Sequence, residues 1–399
     1  MGQEKDVKVG IVKAREVRVV FHLAYLLDGK LYMGEHCFTP SVDERLFIPA
    51  EPGASFTLKD VVIGIGFHWE RKEEQTFCGA LLLKTEEDEV RAINVVPVET
   101  YLTSVISSEM SANASLELLK AHAVISRSWL LVMMNRGKKE GGRGKRTDVI
   151  CHEQLGENSI IRWYDNEAHV GYDVCADDHC QRYQGVTRQS NPQVVEAIEA
   201  TRGQVLTYDG KICDARFSKC CGGMTEVFVS CWENIRHPYL VAKPDPYCNT
   251  QDKRILSQVL NNYDQETVDF YRWKVHYTTE ELSGLVRRKS GIDFGSIQDL
   301  VPVERGASGR IITLKIIGKK RTLTVGKELE IRKWLSESHL YSSAFEVEKT
   351  EDGFILYGKG WGHGVGLCQI GAAVMGDRGI PYDEILSFYY PHAELTKKW

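Results

Sequence analysis

The chain has 399 residues, of which 43% are hydrophobic and 26% are charged, and its formal net charge is -5. This composition is that of a globular protein long enough for two or three cooperating lobes. The acidic balance disfavours a nucleic-acid partner, because phosphate binding usually shows as a basic surface. The sequence predicts no membrane span, since no apolar run approaches the roughly 20 residues that cross a bilayer.

The start of the chain and its cysteine content bear on location and on metals. Residues 1–10 lack the apolar core of a secretory leader, so either the protein stays inside the cell or the sequence begins after a removed leader. Eleven cysteines are many for a cytosolic enzyme, yet their spacing is not that of a small disulfide-stapled domain. Metal binding therefore has to be considered.

Residues 7 to about 96 alternate between apolar and polar side chains in the manner of strands. Asp28-Gly29 is a hairpin-type turn between two such runs. The pattern predicts a β-rich N-terminal portion over residues 1–96.

The period becomes helical from about residue 97, and the first helix holds the most informative residue of the chain. Val98, Leu102, Val105 and Ile106 form one apolar stripe and Glu109 falls within it, whereas Glu99 lies on the opposite, wettable face. Burial of a carboxylate raises its pKa and prepares it to donate a proton. Glu109 is thus a candidate general acid. The alternative is a core-facing glutamate satisfied by an arginine or by backbone amides.

A second helix is predicted from Leu116 to Asn135, with Asn113 or Ser115 as its N-cap. Its apolar residues cover nearly the whole circumference, which is typical of a central buried helix. Arg127 lies inside it, and a buried arginine almost always has an anionic partner.

A short segment combines thiols and imidazoles with the spacing of a metal site. His169, Cys175, His179 and Cys180 can close a tetrahedron around zinc, which favours sulfur and nitrogen ligands. Four protein ligands would leave no open position, so this zinc would be structural. The alternative is a disulfide that uses Cys175 or Cys180.

A glycine-rich segment, 358–371, presents Trp361, His363 and Gln369 from closely approaching backbone. It lacks the Gly-Lys-Ser/Thr ending of a phosphate loop, and an aromatic ring with donors suits a sugar surface better. Two alternatives remain for His363: a structural hydrogen-bonding role, or a nucleophilic pair with Cys368.

Two further segments complete this survey. Tyr239 is either a cleft wall or plain core. The vicinal pair Cys220-Cys221 is predicted to be inert and tightly packed.

The overall prediction is an α+β fold with an active-site cleft between lobes. Its parts are a β-rich portion (1–96), a catalytic core with the Cys/His loop (97–249), an accessory lobe (250–345), and a C-terminal glycine-rich loop with helices that completes the core (346–399).

Taken together, five ordered motifs resemble the stage II sporulation protein D family, which includes amidase enhancers. They are residues 101–110, 118–127, 173–183, 222–225 and 360–372. The chain departs from the usual family pattern at Ser111, His122, Cys220-Cys221 and Cys368.

The resemblance implies a peptidoglycan lytic transglycosylase in the cell envelope that cuts between N-acetylmuramic acid and N-acetylglucosamine, preferentially in peptide-stripped strands. It implies that Glu109 is the catalytic acid/base and that the segment 169–180 binds a structural zinc. Arg127, Tyr239, Trp361, His363 and Gln369 are then expected to position sugar or to hold the glutamate. A non-catalytic glycan-binding protein that stimulates a cell-wall amidase is the competing hypothesis.

Overall fold

The computed structural model describes residues 2–63, 71–111, 113–139, 150–165, 169, 171–176, 180–188, 191–259 and 269–399. The fold is α+β, as the sequence predicts. Among the described residues, no helix combines the length and the apolar content needed to cross a membrane.

The strands of the described residues are β1 (Asp6–Ala14), β2 (Val17–Leu27), β3 (Lys30–Phe38), β4 (Arg45–Pro49), β5 (Ser55–Ile63), β6 (Arg71–Cys78), β7 (Ala80–Glu86), β8 (Glu89–Pro97), β9 (Ile150–Gly156), β10 (Ser159–Asp165), β11 (Val174–Cys175), β12 (Gln204–Tyr208), β13 (Lys211–Ile212), β14 (Phe217–Ser218), β15 (Arg272–Thr278), β16 (Ile297–Arg305), β17 (Ile311–Gly318), β18 (Thr322–Gly326), β19 (Phe345–Lys349), β20 (Gly353–Lys359), β21 (Leu367–Cys368) and β22 (Glu394–Lys397). The helices are α1 (Val98–Glu109), α2 (Leu116–Lys139), α3 (Pro192–Ala200), α4 (Lys253–Val259), α5 (Thr279–Ser290), α6 (Glu328–Trp334), α7 (Gln369–Asp377) and α8 (Tyr382–Tyr389), with short 3-10 turns at Gly185–Arg188 and Phe228–Ser230.

The chain divides into two compact units. The first comprises Met1–Asp148, Asn166–Asp214 and Leu395–Trp399, and the second comprises Val149–Asp165 and Ala215–Glu394. Each unit is therefore assembled from separate stretches of sequence.

A large sheet dominates the first unit, with strand order β11-β1-β8-β7-β4-β2-β5-β6 and β3 paired to β2. Its β2–β3 hairpin turns at Asp28 and Gly29, which have φ of 48° and 79°. Two successive positive φ values are those of a type I′ turn, the geometry that matches the twist of a hairpin. The predicted β-rich portion and its first turn are confirmed.

Helices α1 and α2 follow β8 directly in the first unit. Ser115 caps α2, because its Oγ accepts a hydrogen bond from the Leu118 N–H at 3.4 Å. Nearly all side chains from Leu118 to Met134 are buried. As the sequence predicts, α2 is a central helix that is apolar around most of its circumference.

The second unit contains a five-stranded sheet, β16-β17-β18-β10-β9, and a three-stranded sheet, β15-β20-β19. Its apolar core includes Leu282 of α5, Leu314 of β17, Trp334 of α6 and Leu356 of β20. The parallel pair β14–β21 aligns Phe217 with Leu367, near the end of the glycine-rich segment 358–371.

Candidate active site and metal-binding clusters

The two glutamates of α1 have opposite environments. Glu99 is 4% exposed and binds the fully buried Arg127, with Nη2–Oε2 and Nε–Oε1 distances of 2.6 and 3.1 Å. The prediction that Glu99 faces solvent is wrong, because α2 and the C-terminal residues cover that face. Arg127 has the anionic partner that its burial requires. Its inaccessible guanidinium is contrary to a direct contact with substrate.

Glu109 is the last residue of α1 and is partly exposed. The backbone becomes extended at Met110, with φ of -116° and ψ of 149°, so no further helical turn covers the Glu109 side chain. Val105 and Ile106, which precede it on the predicted stripe, are fully buried. The stripe is therefore correct up to its last member, where the helix ends and the carboxylate lies at the edge of the core.

Tyr101 joins α1 to the Cys/His loop. Its phenol donates to Gln181 Oε1 at 3.5 Å, and its ring stacks on Tyr183 at a centroid distance of 5.0 Å. Burial raises the pKa of Tyr101 well above its usual range, and the charges of Cys180, Cys175 and Glu109 act in the same direction. Glu109 and the cysteines of the loop thus lie around the same buried phenol.

The loop is attached to the edge of the large sheet. β11 pairs in parallel with β1, which aligns Gly10 with Cys175. A side chain at position 10 would collide with the Tyr172 ring, since a Cβ there would lie 2.7 Å from it. Glycine at position 10 therefore leaves room for the Tyr172 ring against β1, in the strand pair that contains Cys175.

Three of the four predicted zinc ligands come together. The ligand atoms of His169, Cys175 and Cys180 lie within 4.8 Å of one another, and His169 Nε2 is 3.1 Å from Cys180 Sγ. His179 lies outside the described residues. One imidazole nitrogen and two sulfurs are the ligands that a structural zinc prefers, so the chemistry of this set fits the predicted metal.

In the second unit, a buried ionic network supports the glycine-rich segment. Arg310 is fully buried and donates through Nε and Nη2 to the Gly362 carbonyl, at 3.1 and 2.9 Å. Arg310 Nη1 also donates to Ser308 Oγ at 3.0 Å, and Ser308 Oγ donates to Glu226 at 2.6 Å. A Cβ at position 364 would lie 2.4 Å from the guanidinium, so glycine is required there.

Sequence reasoning missed Glu226 and Arg310 as a network. Both charged residues are fully buried. The signal available for Glu226 was its position directly after the motif 222–225, and Arg310 follows the glycine-containing stretch 306–309.

The predicted sugar-binding residues of the second unit differ in their accessibility. Trp361 is partly exposed and lies near the rings of Phe270 and Tyr341, at 4.7 and 5.2 Å. Tyr239 is 6% exposed and Gln369 is 2% exposed. The Tyr239 hydroxyl is 3.0 Å from His237 Nδ1. This burial favours the core alternative for Tyr239.

The His363 side chain is held by the backbone of the turn that follows it. Its Nδ1 accepts the Val365 N–H at 3.0 Å, and its ring meets Trp232 edge-on at 4.9 Å. Desolvation, followed by the nearby charges of Arg216 and Arg310, holds the pKa of His363 well below its usual range. Burial has the opposite effect on Cys368, since it raises the pKa of that thiol and disfavours the nucleophilic thiolate. The geometry therefore favours the structural hydrogen-bonding role over the nucleophilic pair.

A second cluster of metal-ligand type lies in the same unit. The ligand atoms of Cys221, Asp245, Cys248 and Cys368 lie within 4.8 Å of one another, and all four residues are buried. This set could hold a metal ion. The sequence prediction that Cys220-Cys221 is tightly packed is consistent with their exposures of 0% and 1%.

Comparisons with known proteins agree with the sequence motifs. Residues 86–208, which include α1, α2 and the Cys/His loop, match the family model described as Stage II sporulation protein. This part of the chain is similar to that family, so the resemblance predicted from the motifs is confirmed. Residues 226–366 match a model described as a domain of unknown function.

Individual relatives extend the similarity over most of the chain. It is 27% identical to the amidase enhancer of Bacillus subtilis (strain 168) over 326 residues, which is 74% of this chain and 40% of that protein. It is 22% identical to the stage II sporulation protein D of the same strain over 309 residues, which is 77% of this chain and 76% of that protein. An uncharacterized protein of Brachyspira hyodysenteriae is 27% identical over 322 residues, covering 80% of this chain and 72% of its own length.

Proposed function

We propose that the protein is a lytic transglycosylase that cleaves peptidoglycan glycan strands between N-acetylmuramic acid and N-acetylglucosamine, with Glu109 as its single acid/base. The observation that carries this proposal is the contrast between the two glutamates of α1. Glu99 is enclosed by Arg127, whereas Glu109 is partly exposed at the end of the helix. The matched family domain contains both residues.

One carboxylate is sufficient for this chemistry. Ordinary glycosidases need two, of which the second supplies a nucleophile or activates water. Here Glu109 donates its proton to the glycosidic oxygen as the bond from the anomeric carbon breaks. The C6 hydroxyl of the same muramic acid then attacks the anomeric carbon, and Glu109 takes the hydroxyl proton. A 1,6-anhydro bond forms, no water is consumed, and Glu109 regains its starting state.

The Cys/His loop has a structural role in this proposal. His169, Cys175 and Cys180, with His179 as the fourth ligand, would hold zinc, which supplies no open position for water. The loop contacts α1 through Gln181 and Tyr183, so a closed metal site there fixes the helix that ends in Glu109.

Trp361 is the residue that we assign to sugar stacking, because its ring is partly exposed and an aromatic face suits a pyranose. A peptidoglycan substrate implies a cell-envelope location. The preferred substrate in this proposal is glycan strands stripped of their stem peptides. These assignments hold only if the protein has the proposed lytic transglycosylase activity.

The second candidate is a glycan-binding protein that stimulates a separate N-acetylmuramoyl-L-alanine amidase without cutting the glycan itself. The similarity to an amidase enhancer over 326 residues favours it. The same glycan-binding surface would serve both functions, so only product analysis separates them.

The deciding experiment is mass spectrometry of products after the purified full chain is incubated with peptide-free glycan strands. The native protein and Glu196→Gln, a variant of an exposed α3 residue, are expected to release fragments with anhydro-muramic ends. Glu109→Gln is expected to release at least 100-fold less, since general acid catalysis contributes about 10²–10⁴-fold. Full cleavage by Glu109→Gln would contradict the mechanism. Binding without products from any variant would favour the amidase-enhancer alternative.

A further inference from the structure

Four cysteines from three distant stretches of sequence meet inside the second unit. Cys220 and Cys221 follow β14, Cys248 lies in an irregular segment before α4, and Cys368 ends β21. Their exposures are 0%, 1%, 0% and 0%. Both Cys220 and Cys221 lie within hydrogen-bonding reach of the sulfurs of Cys248 and Cys368.

The spacing of the sulfurs matches a shared metal and not a disulfide. Cys221 Sγ and Cys248 Sγ are 3.5 Å apart. Two sulfurs on one tetrahedral zinc, each about 2.3 Å from the metal, are separated by about 3.8 Å. A disulfide would bring them to about 2.05 Å.

Backbone amides point at this sulfur cluster. The Cys221 N–H donates to Cys368 Sγ at 3.3 Å, and the amides of Gly222 and Gly223 donate to Cys220 and Cys248. Cys368 is also the N-cap of α7, where the helix presents its positive pole. Such donors stabilise the negative charge that thiolates bring to a metal site.

We propose that Cys220, Cys221, Cys248 and Cys368 bind one zinc ion as a closed structural site, in addition to the Cys/His loop. Asp245 supports this site from outside the coordination sphere. Its Oδ1 accepts the Tyr247 N–H at 2.9 Å, and its Oδ2 accepts the Tyr389 hydroxyl at 3.0 Å. Those bonds orient the carboxylate beside Cys221, whose Sγ lies 3.2 Å from Asp245 Oδ2.

The position of this site gives it a structural purpose. Cys220 forms paired backbone hydrogen bonds with Trp361, at 3.1 and 2.8 Å, and Cys368 follows the glycine-rich turn directly. A metal that links Cys220 to Cys368 joins the two ends of the intervening chain in the folded state, and its binding free energy adds to the stability of that state. The zinc would therefore hold both ends of the segment that presents Trp361.

The experiment counts zinc in the purified full chain and measures its ligands by X-ray absorption. A Cys175→Ser/Cys180→Ser variant removes the loop site without touching the buried one. It is expected to keep one zinc per chain with four sulfur neighbours at about 2.3 Å. Adding Cys248→Ser should reduce zinc to none, whereas adding Cys37→Ser, at an exposed cysteine, should leave it at one.

Several results would overturn the proposal. They are a folded Cys175→Ser/Cys180→Ser variant without zinc, iron with inorganic sulfide in place of zinc, or a Cys221–Cys248 disulfide in peptide maps. Three sulfurs and one oxygen around the metal would overturn the assignment of Cys220 in favour of Asp245. If the double variant does not fold, the native chain decides: a zinc environment with two or more nitrogens per metal and one zinc per chain contradicts the buried site.

Discussion

Arg127 of α2 and Glu99 of α1 form a two-point ion pair that is closed off from solvent. Gly203 N–H and the Trp399 indole also donate to Glu99 Oε1, each at 3.0 Å. The remaining Arg127 nitrogen, Nη1, donates to the Gln204 carbonyl at 2.9 Å. The two charges are therefore paired and hydrogen-bonded together, which is the condition for a buried ion pair to persist.

Removal of one partner should be costly. Glu99→Gln leaves the Arg127 guanidinium charged and buried, so the free energy of unfolding is expected to fall by about 3–5 kcal/mol. Arg127→Met should have a similar effect, and the double variant should lose clearly less than the sum of the two. Urea unfolding of the four proteins measures this. Additive losses, or single losses below about 1 kcal/mol, would show that the pair is not coupled in this way.

Loss of the loop zinc should lower the stability of the protein, and it should lower cleavage only to the extent that the protein unfolds. Cys180→Ser is expected to lower the zinc content by one ion per chain and to lower the melting temperature, because the metal orders a loop with little core of its own. Cleavage should decline in step with the folded fraction, as measured by near-ultraviolet circular dichroism. Activity abolished in protein that is still folded would favour instead a hydrolase with water on its zinc.

His339 predicts acid sensitivity of the second unit. Burial, followed by the charges of Arg332 and Lys333, lowers the pKa of His339 to about 4. An unfolded histidine titrates near 6.5, so below that pH the unfolded chain binds a proton that the folded chain does not. The free energy of unfolding should thus fall by about 1.4 kcal/mol per pH unit as pH decreases from 6.5 towards 4.

Urea unfolding at pH 7.5, 5.5 and 4.5 checks this contribution. His339→Gln should flatten the decline below pH 6.5, because the folded and unfolded chains then no longer differ in protonation at this position. Equal slopes for the native chain and His339→Gln would show that His339 gains its proton in the folded state as readily as in the unfolded one.

Local features could be predicted from sequence because their causes are local. The Asp28-Gly29 turn between β2 and β3 follows from residue type alone, and both residues have positive φ, 48° and 79°. The burial of Glu99 and the partial exposure of Glu109 could not be predicted, because their causes are not local. Helical periodicity places residues on faces, but Trp399, which covers Glu99, is 300 positions away in sequence.

The sulfur cluster could not be predicted for a related reason. Cys248 is 27 positions from Cys221, and Cys368 is 147 positions from it, with no shared motif to connect them. The tight packing of two of its residues, Cys220 and Cys221, agrees with the sequence prediction. Their common function depends on tertiary contacts that bring four thiols together, and residue spacing carries no signal of those contacts.

Alanine substitution is expected to have very different costs at two glycines of similar backbone conformation, one of which lies in the turn that follows His363. Gly366 and Gly379 have φ of 73° and 75°. A Cβ at 366 would lie 1.9 Å from the Arg216 carbonyl oxygen, whereas a Cβ at 379 would meet nothing within 4 Å. Gly379→Ala therefore incurs only the left-handed conformation, about 1–2 kcal/mol. Gly366→Ala incurs that cost together with displacement of backbone.

We expect Gly366→Ala to lower the free energy of unfolding by at least about 2 kcal/mol more than Gly379→Ala does, in the range of overpacking costs. Because Leu367 and Cys368 pair with β14 directly after this turn, Gly366→Ala should also weaken the ordering of the glycine-rich segment. Hydrogen exchange at the Leu367 amide, which donates to the Arg216 carbonyl at 3.1 Å, reports on that ordering. Equal unfolding free energies for the two variants, with unchanged protection at Leu367, would mean that the segment accommodates a methyl group and is not held as rigidly as its contacts indicate.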